Sequence, residues 1–164
     1  MAPAGATVLQ HGRAKALRPL PRARRADALR HGLAAYARGD FFLAHELLEP
    51  AWMGTADPGE RDLHQGLIKL AAAHVHAIRG NPLGVRKNLG GARTRLADAV
   101  AADAGTPWGI DAAALLGAVE ALLAALAAPE TATATVARLA RVALAIPGWR
   151  PEPSEGAPVA KHRP

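Results

Sequence analysis

The sequence predicts an all-α protein, a single-domain bundle of five to six helices joined by short connections. Alanine and leucine dominate the 164 residues, whereas aromatic residues make up only 4% of them. This composition favours helices over strands. Half of the residues are apolar, which suffices for one buried core at this length. Apolar residues recur at helical spacing, and no segment shows the alternation that is typical of a half-buried strand.

Prolines, glycines and capping residues predict where each helix begins and ends. Pro21 and Gly39 bound the first helix, and Asp40, Asp57 and Asp111 are predicted N-caps of later ones. Pro50 is expected to kink or end the second helix. The second to sixth helices are expected at about residues 41–53, 58–79, 82–103, 112–128 and 133–146. The domain division is a disordered basic leader at 1–20, a helical domain at 21–146 and a flexible tail at 147–164.

The positive charge lies near the N-terminus. Residues 1–25 hold six arginines and lysines and no acid, which equals the whole net excess of +6. We therefore expect no nucleic-acid binding beyond non-specific contacts of this leader. The sequence shows no apolar run that could span a membrane and no signal peptide, so the default compartment is the cytoplasm and no membrane partner is expected.

The usual nucleophiles are missing from the predicted helical domain. The chain has no cysteine, and its one serine is Ser154, in the proline-rich tail. Ser–His and Cys–His catalytic arrangements are therefore excluded there. Any catalysis would have to use other side chains or a metal-bound water.

Polar residues interrupt the apolar run "FFLAHELLEPAW" at residues 41–52. At about 100° per residue, His45 and Glu49 share one edge of the apolar stripe, and Glu46 flanks it. The short loop near residue 57 makes the second and third helices antiparallel neighbours. We therefore expect a polar pocket between these two helices. In it His45 lies near residues 74–76, which include His76, Glu49 lies near Ala72, and Trp52 lies near Ile68 or Gln65.

This cluster has two interpretations. Imidazole and carboxylate groups suit zinc, manganese, iron or nickel, and helical bundles often hold such sites. Alternatively, His45 and Glu49 form an intrahelical hydrogen bond at the edge of the core. His74, on the leucine stripe of the third helix, is expected to be a hydrogen-bonded core histidine. Phe41, Phe42 and Trp52 are expected in the core.

The two sequence blocks "FFLAHELLEPAW" and "HQGLIKLAAAHVHAIRGNPLGVRKNL" resemble domain-of-unknown-function family 309, small helical proteins of which some are labelled predicted metal-dependent hydrolases. The resemblance covers about residues 25–100. It departs from the family at Lys69, where a second glutamine is common, and at Pro50. The matching positions are Phe42, His45, Glu46, Glu49, Trp52, Gln65, Gly66, Leu67, Ile68, Ala71, His76, Gly80 and Asn81.

The resemblance implies a helical fold and suggests metal-dependent hydrolysis of an unknown small molecule. In that hypothesis a divalent metal is held by His45, Glu49 and His76, while Glu46 or Gln65 orients the activated water. The alternative is a non-enzymatic binding or scaffold module in which the cluster is structural. Lys69 favours the alternative, because its charge would repel a cation or pair with Glu49. The alanine- and leucine-rich faces could also form a homodimer.

Overall fold

The structure, a computed structural model, describes residues 6–151 and within them contains six α-helices and one β-hairpin. The predicted helical bundle is therefore confirmed. No helix in this part of the chain is both long and apolar enough to cross a membrane. The helices are α1 Arg22–Ala37, α2 Phe41–Met53, α3 Pro58–Ile78, α4 Pro82–Ala101, α5 Ala112–Ala127 and α6 Pro129–Leu139, with a single 3₁₀ turn at Thr106–Trp108 between α4 and α5.

The capping residues act as the sequence predicts. Asp40, Asp57 and Asp111 each accept a hydrogen bond from the backbone N–H three residues later, and Asn81 does the same at the start of α4. Each cap satisfies one of the N–H groups that a helix start leaves unpaired. α2 continues through Pro50 for one more turn.

A hairpin replaces part of the predicted disordered leader. Strands β1 (Thr7–Gln10) and β2 (Arg13–Ala16) pair antiparallel, with Gln10 opposite Arg13. His11 and Gly12 form the two-residue turn with φ angles of 50° and 74°, the left-handed backbone that such hairpins require. The prediction of disorder is therefore wrong for these strands, whereas residues 1–5 lie outside the described part.

Gln10 fastens this hairpin to the helices. Its side chain is 4% exposed, and its Oε1 accepts hydrogen bonds from Trp52 Nε1 at 3.1 Å and Arg61 Nε at 3.3 Å. Its Nε2 donates to Gln65 Oε1 at 2.8 Å and to Asp62 Oδ1 at 3.2 Å. These contacts join residues more than 40 positions apart, so periodicity could not predict them.

α3 is the central helix and packs against α2, α4 and α6. Its His74 is fully buried, as predicted for a core histidine. The His74 ring stacks on Phe41 at 4.2 Å, and its Nδ1 lies 2.7 Å from the carbonyl oxygen of Leu139. Burial lowers the pKa of His74 and so favours the neutral ring.

The C-terminal segment differs from the prediction. α6 begins at Pro129 and ends at Leu139, whereas the sequence predicts a helix at 133–146. Proline is well placed at the first helical position. At the other end, His74 binds the Leu139 carbonyl and accepts the N–H of Leu144 at 3.3 Å. His74 thus occupies the Leu139 carbonyl and the Leu144 N–H, two groups that would bond within the helix if it continued.

Two further expectations need correction. Phe42 is 61% exposed and does not belong to the core, because it lies about 100° round α2 from the buried Phe41. The predicted tail begins too early, since the N–H of Asp111 donates to the carbonyl oxygen of Pro147 at 2.9 Å. Residues 152–164 of that tail lie outside the described part of the chain.

Candidate functional site

A polar cavity of about 210 Å³ lies between α2, α3 and α4, where the sequence predicts a polar pocket. Its walls contain an ammonium group, a carboxylate, an imidazole and two amides, which is an unusual concentration of polar groups for a helix interface. We call it the Lys69 cavity. It is lined by His45, Glu49, Trp52, Gln65, Ile68, Lys69, Ala72 and Asn88.

α2 contributes His45, Glu49 and Trp52 to one wall. They recur at intervals of about one helical turn, so they share one face of the helix. His45 Nδ1 lies 3.3 Å from Glu46 Oε1. Glu46 is exposed and does not line the cavity, so of the acidic residues predicted on this helix only Glu49 reaches it.

α3 contributes Gln65 and Lys69, one turn apart. The Gln65 carbonyl is held by the amide of Gln10. The Lys69 chain runs across α4 at Gly91, where an added Cβ would lie 2.7 Å from Lys69 Cδ. A glycine in the middle of a helix destabilises it by about 1 kcal/mol relative to alanine, and here its missing side chain makes room for Lys69. At Gly90 an added Cβ would meet nothing within 4 Å.

Lys69 is half-buried, and the charged neighbours that shift its pKa in the described part of the chain are all positive. Burial lowers its pKa most, and the positive charges of Arg95, Lys87 and Lys15 lower it further. Within residues 6–151 no acidic oxygen lies within 4.0 Å of its ammonium group. The alternative of a Glu49–Lys69 ion pair is therefore not realised at this distance.

His76 does not reach the cavity. It lies one turn beyond Ala72, about 6 Å farther along the α3 axis, and its Nδ1 is 3.1 Å from Asn81 Nδ2. The ring also packs over Gly84 on α4, at a position where a side chain would clash with it. The structure thus brings His45, Glu49 and Gln65 together and leaves His76 and Glu46 outside.

These positions do not fit the predicted metal centre. A divalent ion needs ligand atoms that converge within about 2.0–2.2 Å of one point, and His76 does not converge with His45 and Glu49. Lys69 also places a positive charge in the same cavity, which disfavours a second cation.

Another group meets the distance requirement better. In the described part of the chain, the ligand atoms of His11, Asp62 and Asp98 lie within 4.8 Å of one another. His11 Nε2 is 2.9 Å from Asp62 Oδ1 and 3.6 Å from Asp98 Oδ2. Asp62 Oδ1 also lies 3.4 Å from Arg95 Nη1, so an arginine already neutralises part of this acidic charge.

Sequence reasoning missed this cluster because His11 falls in the segment predicted as a disordered leader. The available signal was weak. A His-Gly dipeptide between the short runs "TVLQ" and "RAKA" fits a two-residue hairpin turn. The hairpin then places its turn against α3 and α4, where Asp62 and Asp98 lie.

Comparison with known proteins identifies one family. Residues 29–88 match the family described as Domain of unknown function (DUF309), so the resemblance deduced from the two sequence blocks is confirmed. Every residue that lines the Lys69 cavity lies inside the matched segment. No curated protein and no solved structure matches the chain.

Proposed function

We propose that the Lys69 cavity, whose residues lie in the segment that matches a family of unknown function, binds a small anionic metabolite through a carboxylate or phosphate group. The chain then acts as a small-molecule binding module. The observation that carries the proposal is the half-buried ammonium group of Lys69, which has no acidic partner within 4.0 Å among residues 6–151.

A half-buried charge without a partner is unfavourable. Burial and the cationic neighbours both destabilise the protonated amine of Lys69 and so lower its pKa. A bound anion would reverse this effect by supplying the missing counter-charge. The amides of Gln65 and Asn88 line the same cavity and can donate further hydrogen bonds to an anion.

The rest of the lining limits what the ligand can be. About 210 Å³ is less than the roughly 300–1,000 Å³ of typical drug-sized sites, so the ligand is small. Glu49 and His45 favour a hydrogen-bond donor on the ligand in addition to its anionic group, because both side chains can accept hydrogen bonds. Trp52 and Ile68 supply an apolar surface for its carbon atoms.

Isothermal titration calorimetry with phosphate, acetate and lactate tests the proposal. Lys69→Met keeps the length of the side chain and removes its charge. We expect it to weaken anion binding about tenfold or more, because a charge-assisted hydrogen bond is lost. Arg93→Met is the matched control, since Arg93 is exposed on α4 and does not line the cavity. Equal affinities for wild type and Lys69→Met would refute the proposal.

Metal-dependent hydrolysis is the second candidate. It is favoured by the His11, Asp62 and Asp98 cluster, whose ligand types suit zinc, manganese, iron or nickel. Glu46 and Gln65 are the predicted catalytic residues for a metal at His45, so that role depends on a metal that is lost in His45→Ala. Elemental analysis and Zn²⁺ or Mn²⁺ titration of wild type, His11→Ala and His45→Ala distinguish the two histidines. A metal that is lost only in His11→Ala would assign it to the hairpin cluster, and no bound metal in the wild type would remove this candidate.

A further inference from the structure

A second concave region lies at the start of α1, far from the Lys69 cavity in sequence. It has a volume of about 370 Å³, and we call it the arginine–tryptophan cleft. No acidic residue of the described chain lines it. Its polar and aromatic lining consists of Arg22, Arg30, Trp108, Trp149 and Arg150.

Trp108 is held in place from two sides. The guanidinium of Arg22 lies 4.3 Å from the centre of its ring, and Arg22 Nη2 donates to the carbonyl oxygen of Pro107 at 3.0 Å. The buried His64 ring approaches it edge-on, with centroids 5.5 Å apart. Cation–π and edge-to-face contacts both fix the orientation of an indole, so Trp108 and Arg22 form one preorganised surface.

The segment that carries Trp149 is joined to the same wall. Gly148 has a φ angle of 85°, and a Cβ there would lie 2.6 Å from the carbonyl oxygen of Gly109. The adjoining Pro147 accepts the N–H of Asp111. Only glycine tolerates both this close approach and this backbone conformation. The two tryptophans are therefore brought to one cleft by a fixed contact between loops.

The arginines of the cleft are largely available to a ligand. Within residues 6–151 no acidic oxygen lies within 4.0 Å of Arg22 or Arg150. Arg30 pairs with Asp27 at 2.8 Å, but both side chains are about half exposed. Such exposed pairs contribute little and are readily exchanged. The cleft thus combines surplus positive charge with two indole rings.

We propose that the arginine–tryptophan cleft binds a nucleotide unit, with guanidinium groups on its phosphate and an indole ring stacked on its base. Arginine forks match phosphate oxygens in pairs, and aromatic side chains stack on any base. A bare phosphate would make no use of two tryptophans, and a neutral aromatic ligand would make no use of three arginines. The volume lies within the usual range for small-molecule sites.

This nucleotide unit could be a free mononucleotide or one residue of a single-stranded nucleic acid, since both present the same base and phosphate. Residues 1–25 contain basic residues but no aromatic residue, so the sequence of the leader predicts only non-specific contacts with nucleic acid. The fold instead joins Arg22 to tryptophans from distant segments, which is the combination that single-strand binding requires. The inference is independent of the ligand proposed for the Lys69 cavity, because the two sites share no lining residue.

Titration of the full chain at low salt tests the inference, with tryptophan fluorescence for AMP and ribose 5-phosphate and anisotropy for a labelled single-stranded oligoadenylate. We expect AMP to bind more tightly than ribose 5-phosphate, because only AMP can stack. Arg30→Ala combined with Arg150→Ala should weaken binding about tenfold or more. The charge-matched control combines Arg93→Ala with Arg141→Ala, two exposed arginines outside the cleft.

The outcomes separate the two sources. Saturable AMP binding that the cleft variant loses assigns a mononucleotide site. Binding of the oligoadenylate alone, with the same loss, assigns a single-stranded nucleic acid. The inference is overturned if neither probe binds, if AMP and ribose 5-phosphate bind equally, or if the control variant loses as much affinity as the cleft variant. The last result would mean that binding reflects net charge only.

Discussion

Two cations of α3, Arg61 and Lys69, lie about two turns apart and have opposite surroundings. Arg61 is fully buried, and its Nη1 donates to the carbonyl oxygens of Trp52 at 3.1 Å and Thr55 at 3.0 Å. Its Nε donates to Gln10 Oε1, and its guanidinium lies 4.9 Å from the centre of the Trp52 ring. Lys69 is half-buried, and no acidic group within residues 6–151 pairs with it.

The difference shows how to separate a structural charge from a candidate binding group. Burial lowers the pKa of both residues, but the neighbouring charge of Asp62 counteracts the effect at Arg61, whereas neighbouring cations increase it at Lys69. Arg61 is satisfied by the protein itself, so it holds the hairpin, α2 and the following loop together. Lys69 has no acidic partner within 4.0 Å among residues 6–151, so a ligand can provide the counter-charge.

The largest expected effect comes from removing each cation in turn. Arg61→Leu removes the donor that serves the carbonyl oxygens of Trp52 and Thr55, at about 1–3 kcal/mol for each acceptor. Gln10 Oε1 loses one of its two donors and keeps Trp52 Nε1. We expect the free energy of unfolding to fall by about 3–5 kcal/mol in urea denaturation. Lys69→Met should change it by less than about 1 kcal/mol, because the Lys69 side chain makes no hydrogen bond within residues 6–151 that could be lost. Similar losses in the two variants would contradict the distinction.

The same contrast explains what the sequence could predict. The Lys69 cavity is built from neighbouring helices joined by short loops, so helical periodicity was enough to place Glu49 near Ala72 and Trp52 near Gln65, and these residues do line one cavity. The prediction for His76 was wrong because it aligned His45 with residues 74–76, about one turn farther along α3 than Ala72, which shares the cavity with His45. The position of the cavity between α2 and α3 was therefore predictable, but the complete set of residues that line it was not.

Long-range contacts were not predictable from local patterns. The bonds of Gln10 to Arg61 and Asp62 span about 50 residues, and the strands that present Gln10 are only four residues each. Arg22 and Trp108 likewise meet only through tertiary packing. Periodicity predicts which face of a helix is buried. It does not predict which distant side chain will form hydrogen bonds with the polar groups on that face.

The pH dependence of anion binding tests the assignment of Lys69 more finely. Only the protonated amine attracts an anion, so affinity should fall as pH rises through the pKa of Lys69, by about tenfold per pH unit above it. Because burial and nearby cations lower that pKa, the decline should begin at a lower pH than for an ordinary lysine. Calorimetry of phosphate binding between neutral and alkaline pH measures this.

Lys69→Arg is the matched variant for the pH experiment, since arginine keeps its charge throughout this range. If Lys69→Arg still binds phosphate, its affinity should not fall as the pH rises. If the decline persists in Lys69→Arg, another group controls it, and Lys69 is not the anion-binding residue.

The smallest expected effects distinguish the adjacent glycines of α4. At Gly90 an added Cβ meets nothing within 4 Å, so Gly90→Ala should stabilise the protein by about 0.5–1 kcal/mol through helix propensity alone. At Gly91 the Cβ would lie 2.7 Å from Lys69 Cδ, and the flexible lysine must move. We therefore expect Gly91→Ala to gain less stability and to weaken anion binding several-fold, whereas Gly90→Ala leaves binding unchanged. Thermal unfolding and calorimetry of both variants measure the two effects, and equal behaviour would mean that the path of Lys69 across α4 does not position its charge.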